Sequence, residues 1–396
     1  MGIPALPRLA AGDLVACVLP PGDAWLPLLR ELWEARAALL PVDVRAPEEE
    51  RTALLRRARP TVVVTPSGAE RVEGVPAGED VGAVVATSGS SGAARLVELG
   101  RAALSAAVTA SGAALGATTG DAWLCCIPVA HIGGLLVLLR GVVGGAPVTV
   151  QPGFAVDAVR DAAGARFISV VPTQLRRLFD AGVDCTRFHA MLVGGAPLPD
   201  ELAADARRRG VNAVSTYGLT ESCGGVVYDG RPLPGTEVRV SGTGEVQLRG
   251  PTLMRAYRFD ERATSGAFTG DGWLRTHDAG ELHGGVLTVH GRLDDVIVSG
   301  GEKVWPLEVE TSLATHPAVA EVAVRGRPDP EWGERVVAFV VPRDGDPPTL
   351  DSLRTHVAHQ LARYKVPREL VIVEALSRTS LGKVRRDPRR PATGDR

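Results

Sequence analysis

Hydrophobic residues in the first half of the chain follow two alternating patterns. Apolar positions recur at helical spacing over residues 26–40, where Pro41 ends the pattern, and again over 48–59. The run at 61–65, TVVVT, is β-branched throughout, which is typical of a strand buried on both faces. Helices that alternate with buried strands predict an α/β layer fold.

This alternation continues as far as residue 216. It predicts strands over 81–86, 96–99, 122–127, 147–150, 167–171, 190–193 and 213–216. It predicts helices over 102–115, 135–143, 155–163 and 200–209, and one that begins at Pro172. Ligands of open α/β sheets bind beyond the carboxyl ends of the strands, so the loops that follow 81–86, 190–193 and 213–216 are candidate site loops.

A different pattern begins near Arg231. Short strands separated by Gly and Pro predict a β-rich subdomain, with strands over 237–240, 244–248, 281–282 and 285–289. The last hundred or so residues predict strands over 296–298, 319–324, 336–341 and 369–373, and helices over 306–314 and 350–361. We therefore predict a large N-terminal domain of α/β layers with a β-rich subdomain, residues 1–293, and a small α+β domain, residues 294–396.

Composition and charge exclude several classes of function. Hydrophobic residues make up 45% of the chain and charged residues 23%, as in ordinary globular proteins. The net charge of −2 gives no electrostatic case for a nucleic-acid partner, and His131, Arg140 and several glycines interrupt the longest apolar stretch, so we predict no membrane span. The first residues lack a basic region followed by an apolar core, so we expect no secretory signal. The five cysteines lack metal-ligand spacing, so we expect a cytoplasmic protein with reduced thiols.

The loop after the strand at 81–86 reads TSGSSGAAR and has the chemistry of a phosphate cradle. Glycines let the backbone approach an anion, hydroxyl groups donate hydrogen bonds, and Arg95 supplies a cation. The other residues concerned are Thr87, Ser88, Gly89, Ser90, Ser91 and Gly92. The spacing excludes a P-loop of the G-x-x-x-x-G-K-[ST] type. A Gly/Ser surface loop is the alternative that this motif alone leaves open.

Six motifs resemble those of the adenylate-forming superfamily, and they occur in the same order. That superfamily contains acyl-CoA synthetases, peptide-synthetase adenylation domains and luciferases. TSGSSGAAR resembles its (S/T)SGTTGxPK loop, GGAPLP its adenine-side loop, and TYGLTES its Y-G-x-T-E signature. GWLRTHDAGEL, GRLDDVIVSGGEKVWPLEVE and RTSLGKVRR resemble its ribose-binding, hinge and C-terminal lysine segments. The resemblance covers nearly the whole chain and implies a mobile C-terminal domain, with ATP, Mg²⁺ and coenzyme A as ligands.

The resemblance also implies a role for each matched residue. The ligands of ATP or AMP would be the cradle residues together with Gly194, Gly195, Ala196, Thr216, Tyr217, Gly218, Thr220, Asp278 and Arg292. Glu221 would be the Mg²⁺ ligand, and Lys383 and Arg95 would be the catalytic cations. His131 would orient or deprotonate the CoA thiol. The hinge would be Asp294, and the CoA arm would pass Gly300 and Gly301.

Several of these residues have a structural alternative. Glu221 could be a helix N-terminal carboxylate favoured by the helix dipole, and His131 a structural histidine. Asp278 and Arg292 could each belong to a surface ion pair, and Tyr217 could be a core tyrosine.

The cradle departs from the superfamily motif at two positions. Ala94 stands where proline is usual, and Arg95 where lysine is usual. Arginine keeps the positive charge and adds bidentate phosphate geometry, and the loss of proline costs only some preorganisation. Neither change implies an inactive enzyme.

Within the superfamily, the stretch ESCGGVVYDGRPLPG at 221–235 is most similar to bacterial ligases that join o-succinylbenzoate to CoA in menaquinone synthesis. This resemblance implies a ligase that forms an acyl-adenylate and then a thioester, and it is compatible with a homodimer. The acid's second carboxylate predicts a polar or cationic group in the acid pocket, and the candidates are Thr173, Gln174, Arg177 and Ser222. Two alternatives stay open: a CoA ligase for another aryl or acyl acid, and a nucleotide-binding regulator that ligates nothing.

Overall fold

The computed structural model of the protein describes residues 4–87, 95–343 and 347–376. These residues form four sheets with helices packed against them. Six predicted site residues lie outside the described residues, namely Ser88, Gly89, Ser90, Ser91, Gly92 and Lys383.

The first sheet is built mainly from the N-terminal quarter of the chain. Six of its strands are β1 (Leu14–Cys17), β2 (Ala38–Pro41), β3 (Val62–Thr65), β4 (Gly68–Arg71), β5 (Val81–Ala86) and β6 (Leu96–Gly100). Their order is β6-β5-β2-β1-β3-β4, and a seventh strand from later in the chain joins the β6 edge. β5, β2, β1 and β3 are parallel, whereas β6 turns back antiparallel to β5. The carboxyl end of β5 therefore leads directly into the predicted cradle.

The second sheet also has seven strands. They are β7 (Ala122–Cys125), β8 (Val148–Val150), β9 (Ala165–Val170), β10 (Ala190–Val193), β11 (Ala213–Leu219), β12 (Gly224–Tyr228) and β13 (Arg231–Pro232). Their order is β13-β12-β11-β10-β9-β7-β8. The five strands from β11 to β8 in this order are parallel, so their carboxyl ends share one edge.

Seven helices cover the faces of these two sheets. They are α1 (Trp25–Glu34), α2 (Glu48–Ala58), α3 (Arg101–Leu115), α4 (Ile132–Val142), α5 (Val156–Asp161), α6 (Pro172–Asp180) and α7 (Asp200–Arg208). α1, α3 and α4 share one buried core with both sheets, through residues such as Leu28, Leu104 and Leu138. α2 packs on the other face of the first sheet, and α5 to α7 pack on the other face of the second. This is the α/β layer arrangement that the sequence predicts.

The third sheet is antiparallel and smaller. Its segment contains β14 (Glu237–Val240), β15 (Glu245–Arg249), β16 (Ala256–Tyr257), α8 (Glu261–Ala267), β17 (Leu274–His283) and β18 (Val286–Arg292). The sheet order is β14-β15-β17-β18. β16 does not belong to this sheet: it pairs with β6 and is the seventh strand of the first sheet. The β-rich subdomain is thereby tied to the strand that follows the cradle.

The fourth sheet belongs to the C-terminal part of the chain. Its elements are β19 (Ile297–Ser299), β20 (Glu302–Val304), α9 (Pro306–Ala314), β21 (Val319–Asp329), β22 (Gly333–Pro342), α10 (Leu350–Ala358) and β23 (Glu369–Ile372). β22 is central and pairs with β19, β21 and β23, while α9 and α10 pack on one face. The predicted boundary at Asp294 falls in the 3₁₀ turn Leu293–Asp295, between β18 and β19. None of the helices described here is long and apolar enough to cross a membrane.

The structure corrects one predicted helix. The pattern over 26–40 predicts a helix as far as Leu40, but α1 ends at Glu34 and the following residues form β2. Arg36 has a φ of 55°, which turns the chain out of the helix. β2 is buried along its whole length inside the first sheet. A run that is buried on every side has no polar face, so apparent helical spacing within it carries little information.

Other elements are longer than predicted or were missed. β17 begins at Leu274, so Asp278 lies inside a strand, and β11 continues to Leu219, so Tyr217 does as well. The elements absent from the sequence-based prediction are β1, β2, β4, β12, β13, β16, β20 and α8. Most are strands of two to five residues, too short for a clear period-two pattern.

Candidate active site

The carboxyl ends of the parallel strands carry many of the predicted site residues. β7 leads to His131 at the start of α4, β9 to Thr173 in the first turn of α6, and β10 to Gly194. β11 is followed by the 3₁₀ turn Thr220–Ser222, which contains Glu221. Because β7, β9, β10 and β11 are parallel, these residues lie along one edge of the second sheet, as the sequence predicts.

One cluster joins Tyr217, Asp278 and Arg292. The Tyr217 hydroxyl donates a 2.8 Å hydrogen bond to Oδ2 of Asp278, and Nη1 of Arg292 donates one of 3.2 Å to Oδ1. Asp278 and Arg292 are paired residues on β17 and β18, and Arg292 also donates to the carbonyl of Thr276 at 2.9 Å. Burial and the charge of Asp278 raise the pKa of Tyr217, so its phenol stays protonated as a donor. Three residues assigned separately to the nucleotide are therefore in direct contact.

A second cluster joins Arg95, Tyr257 and Glu221. The Tyr257 hydroxyl donates a 2.8 Å hydrogen bond to Oε1 of Glu221. The guanidinium carbon of Arg95 lies 4.9 Å from the centroid of the Tyr257 ring, within cation–π distance. Burial, together with Glu221, raises the pKa of Tyr257 to about 12. Arg95, the predicted phosphate cation, and Glu221, the predicted metal ligand, thus both contact Tyr257, which the sequence analysis did not identify.

Thr87 and Arg95 close the predicted cradle at its base. The backbone N–H of Thr87 donates to the carbonyl of Arg95 at 2.8 Å, and the N–H of Arg95 donates to Oγ1 of Thr87 at 3.2 Å. These bonds continue the antiparallel pairing of β5 and β6. Both ends of the cradle are therefore held by the first sheet.

Two glycines of the predicted adenine-side loops are required by close packing. A Cβ on Gly194 would lie 2.4 Å from Oγ1 of Thr216, and a Cβ on Gly218 would lie 1.9 Å from the carbonyl oxygen of Gly224. A side chain would force two backbone segments apart at Gly218 and would displace the Thr216 hydroxyl at Gly194. The remaining predicted residues of these loops are Gly195, Ala196 and Thr220.

His131 precedes the first turn of α4 and lies within electrostatic reach of Asp43, in the loop after β2. Burial by itself would raise the pKa of Asp43, but hydrogen bonds from Arg45 and the charge of His131 lower it overall. The Arg45 side chain donates to Oδ1 of Asp43 at 2.9 Å. A carboxylate therefore accompanies the predicted thiol-handling histidine, a partner that the sequence analysis did not identify.

The four candidates for the acid pocket have different surroundings. The Ser222 hydroxyl is fully buried and bonds to the backbone of its own turn, including the carbonyl of Gly224. The Gln174 side chain accepts a 3.0 Å hydrogen bond from the backbone N–H of Val171. Thr173 and Arg177 are exposed on α6. Two of the four polar groups are thus already engaged in holding local turns.

Arg140 on α4 is a buried cation that sequence reasoning passed over. Only 5% of the residue is exposed, and its guanidinium lies 3.9 Å above the Trp123 ring. Nη2 donates to Oγ of Ser111 at 2.9 Å, and that hydroxyl shares a 2.8 Å hydrogen bond with Tyr228. Nε has no partner, and the guanidinium forms no ion pair with a carboxylate of the described residues. Burial lowers the pKa of Arg140, yet arginine keeps its proton in proteins.

The Arg140 group lies behind the strands that carry the site. Tyr228, at the end of β12, is paired with Thr216 of β11. A Cβ on Gly225 would contact both of these residues, at 3.1 Å from Thr216 and 3.3 Å from the Tyr228 ring. Gly225 is therefore packed closely between the predicted AMP ligand Thr216 and Tyr228, the tyrosine that leads to the buried cation, and a side chain there would displace one of them.

The predicted CoA glycines lie in the C-terminal part. Gly300 and Gly301 form the turn between β19 and β20, with φ values of 62° and 84°. The Gly300 N–H donates to the carbonyl of Trp332 at 2.8 Å, and a Cβ on Gly300 would lie 2.9 Å from the Trp332 ring. Left-handed backbone and close packing both favour glycine here.

Known proteins are similar to this chain over most of its length. A family model of AMP-binding enzymes matches residues 70–258, and a model of the AMP-binding enzyme C-terminal domain matches residues 308–383. A probable 2-succinylbenzoate–CoA ligase of Mycobacterium tuberculosis is 41% identical over 367 residues, which cover 89% of this chain and 94% of that protein. The chain belongs to the AMP-binding enzyme family. The superfamily resemblance of the motifs is thereby confirmed.

Solved structures of AMP-binding enzymes have the same fold. The o-succinylbenzoate CoA synthetase of Bacillus subtilis, in complex with its acyl-adenylate intermediate, superimposes with a TM-score of 0.88 at 27% identity, over 97% of this chain and 89% of that one. The same synthetase in complex with ATP and magnesium ion gives a TM-score of 0.86 at 27% identity, over 96% and 89%. These matches confirm the predicted fold, with a large N-terminal and a small C-terminal domain.

AMP-binding enzymes similar to this chain act on different acids. An indoleacetate–CoA ligase of Aromatoleum aromaticum is 38% identical over 302 residues, which cover 67% of this chain and 58% of that protein. Enzymes that act on different acids therefore have similar sequences across the nucleotide site, and this similarity does not identify the acid.

Proposed function

We propose that this AMP-binding enzyme uses ATP to join 2-succinylbenzoate to coenzyme A, the thioester-forming step of menaquinone synthesis. The choice of acid is supported by the similarity to the 2-succinylbenzoate–CoA ligase of Mycobacterium tuberculosis over 89% of this chain. The use of ATP is supported by the segment formed by β11 and its 3₁₀ turn. This one segment supplies Tyr217 to the Asp278 cluster and Glu221 to the Arg95 cluster. Groups suited to a ribose and groups suited to a triphosphate are therefore held on the same rigid strand and turn.

The first cluster is suited to the nucleoside. Donors from Tyr217 and Arg292 fix the Asp278 carboxylate, which can then accept hydrogen bonds from both ribose hydroxyls. The adenine would pack beside the loop at 194–196 and the segment 216–220, where Gly194 and Gly218 let these two segments pack closely against their neighbours. This arrangement favours the nucleotide role of Asp278 over a surface ion pair, since only 7% of the residue is exposed.

The second cluster is suited to a metal-bound triphosphate. Oε1 of Glu221 is held by Tyr257, and among the described residues Oε2 has no hydrogen-bond partner. Mg²⁺ is commonly held by one or two carboxylates together with phosphate oxygens and water, so a single free carboxylate oxygen fits. Bound Mg²⁺ would neutralise charge on the phosphates. Arg95 and the cradle residues 87–92 would hold the β- and γ-phosphates.

The reaction has two steps. In the first, a carboxylate oxygen of the acid attacks the α-phosphorus of ATP, and pyrophosphate leaves with the electron pair of the broken P–O bond. Arg95 and Lys383 offset the repulsion between the two anions. In the second, the CoA sulfur attacks the acyl carbon, and AMP leaves with the electron pair of the broken C–O bond. His131, beside Asp43, orients the thiol or takes its proton.

The C-terminal domain is proposed to change position between these steps. Asp294, in the turn between the third and fourth sheets, is the proposed hinge. Lys383 would serve the first step. Gly300 and Gly301 would let the CoA arm pass close to the backbone in the second step.

The second carboxylate of the acid is proposed to be read by Arg140. An unpaired buried cation is costly, and a substrate carboxylate would compensate it. The unpartnered Nε and the neighbouring Tyr228 hydroxyl offer hydrogen-bond donors at one place. Thr173, Gln174, Arg177 and Ser222 are the other candidates for this role. Arg140 differs from them because it is both charged and buried.

The experiment that tests this function is acid-dependent exchange of labelled pyrophosphate into ATP. We expect exchange with 2-succinylbenzoate and much less with indoleacetate or benzoate. Exchange only with another acid would make the chain a different CoA ligase, and no exchange with any acid would favour a nucleotide-binding regulator. A cytoplasmic location and a homodimer are also part of the proposal, and size-exclusion chromatography with light scattering tests the homodimer.

A further inference from the structure

We propose that Tyr257 is a positioning residue for metal-bound ATP: it holds Glu221 and Arg95 apart and aims both at the triphosphate. The inference rests on the proposed function, since it takes Glu221 as the metal ligand and Arg95 as the phosphate cation. It adds a residue that no motif in the sequence marks. Tyr257 is 6% exposed and lies in β16, outside every loop that the sequence predicts for the site.

The tyrosine gives each charged residue a neutral partner. Its hydroxyl donates to Oε1 of Glu221, and its ring face lies against the Arg95 guanidinium. A carboxylate and a guanidinium so close to the same ring would otherwise tend to pair with each other. No ion pair between them occurs in the structure, because each has a contact with Tyr257. One carboxylate oxygen of Glu221 is thereby left for a ligand, as are the guanidinium N–H groups of Arg95 that do not bond the Tyr257 hydroxyl.

The position of Tyr257 is itself fixed by two contacts, and a third ties its segment to Glu221. β16 pairs with β6, so that Tyr257 lies opposite Val97, two residues after Arg95. The Tyr257 N–H donates to Oγ1 of Thr264 at 2.9 Å. The N–H of Met254 donates to the carbonyl of Glu221 at 2.7 Å. The backbones of all three clustered residues therefore belong to one hydrogen-bonded unit.

A neighbouring arginine anchors the same strand. Arg258 is buried, donates to Oε1 of Glu98 at 2.9 Å and to the carbonyl of Ala58 at 2.9 Å, and also bonds to the carbonyl of Val75. β16 is thus attached to the first sheet on both sides of the tyrosine. A rigid donor limits the rotamers of Glu221 before any ligand arrives, which lowers the entropic cost of binding the metal-bound nucleotide.

The test is calorimetric binding of ATP with Mg²⁺ and with EDTA, in the absence of acid and CoA. Tyr257→Phe keeps the ring and loses the hydroxyl. We expect about a fivefold weaker affinity for Mg–ATP and unchanged affinity for metal-free ATP, the effect of one hydrogen bond. Tyr364→Phe makes the same chemical change in the C-terminal domain and serves as the matched control. It should change neither affinity.

Two further variants separate positioning from general stability. In a Glu221→Ala background, Tyr257→Phe should have no additional effect on Mg–ATP affinity, because its acceptor is gone. Tyr257→Leu also removes the aromatic ring against which Arg95 lies, so it should lower the affinity for metal-free ATP as well. The inference would be overturned if Tyr257→Phe lowered the affinity for ATP equally with and without Mg²⁺, or if it changed neither affinity. Wild-type protein that binds no ATP at all would instead overturn the proposed function.

Discussion

The hydroxyl of Tyr217 donates a 2.8 Å hydrogen bond to Oδ2 of Asp278 across the boundary between the second and third sheets. Arg292 approaches the other carboxylate oxygen at 3.2 Å. The carboxylate is therefore oriented before a nucleotide binds. Tyr217 has a role beyond the aromatic face that the sequence suggests, since it links the strand that leads to Glu221 with the strand that carries Asp278.

Tyr217→Phe tests this link, because it keeps the ring and removes the donor. We expect the KM for ATP to rise about fivefold, in line with ~1 kcal/mol for one hydrogen bond, while the KM for the acid is unchanged. Steady-state kinetics with each substrate varied in turn measures the effect. Equal increases in both KM values would indicate general damage to the site, and Tyr364→Phe is the control.

Arg140→Met tests the proposed reader of the second carboxylate. Methionine fills the buried space without the charge, so we expect the KM for 2-succinylbenzoate to rise roughly 30-fold, for ~2 kcal/mol of lost charge-assisted hydrogen bonding. Activity with an acid that has a single carboxylate should not fall. Arg209→Met, which removes another arginine stacked on an aromatic ring, is the control. The same loss for both acids would contradict the assignment.

Lys383→Ala tests the proposed separation of the two half reactions. We expect it to abolish acyl-adenylate formation but to spare thioester formation from supplied acyl-adenylate, because the lysine is assigned to the first step only. Rapid-quench measurement of each half reaction distinguishes these effects. Equal loss in both half reactions would argue against domain alternation about Asp294.

Asp13→Asn tests a stabilising group remote from the site. Burial would raise the pKa of Asp13, but hydrogen bonds from Arg71, the Ala10 N–H and Thr61 lower it overall. A depressed pKa in the folded state means that the carboxylate contributes stability above its unfolded value near 3.8 and loses that contribution as pH falls through the folded value.

We therefore expect Asp13→Asn to lower the free energy of unfolding by ~2 kcal/mol at pH 7, with the deficit shrinking below about pH 4. Urea unfolding across that range measures the difference from wild type. A deficit that does not change with pH would mean that the carboxylate's charge is not what stabilises this corner of the fold.

Much of the fold was predictable because the parallel strands and their helices have distinct periodicities. β5, β10 and α9 occur with the predicted bounds, and the site loops do follow the ends of parallel strands. The end of α1 was not predictable from spacing, since β2 is buried on every side and its polarity does not alternate. β16 has two residues and is defined only by its partner strand, which is tertiary information.

Site residues that stand in sequence motifs were predictable, whereas site residues that are recognised only by their tertiary contacts were not. Asp278, Glu221 and Arg95 each stand in a recognisable motif, but their shared partners do not. Tyr257 and Arg140 gain their significance from burial and from the residues that face them. A signal for Arg140 did exist in the sequence, because it is a charged residue within an otherwise apolar helix.

The proposed activity is the formation of a CoA thioester from 2-succinylbenzoate. The most direct measurement is mass spectrometry of the products formed from ATP, Mg²⁺ and CoA with equimolar 2-succinylbenzoate and indoleacetate in one vessel. We expect 2-succinylbenzoyl-CoA as the dominant thioester, with AMP formed in equal amount. Indoleacetyl-CoA as the dominant product, or AMP without any thioester, would contradict it.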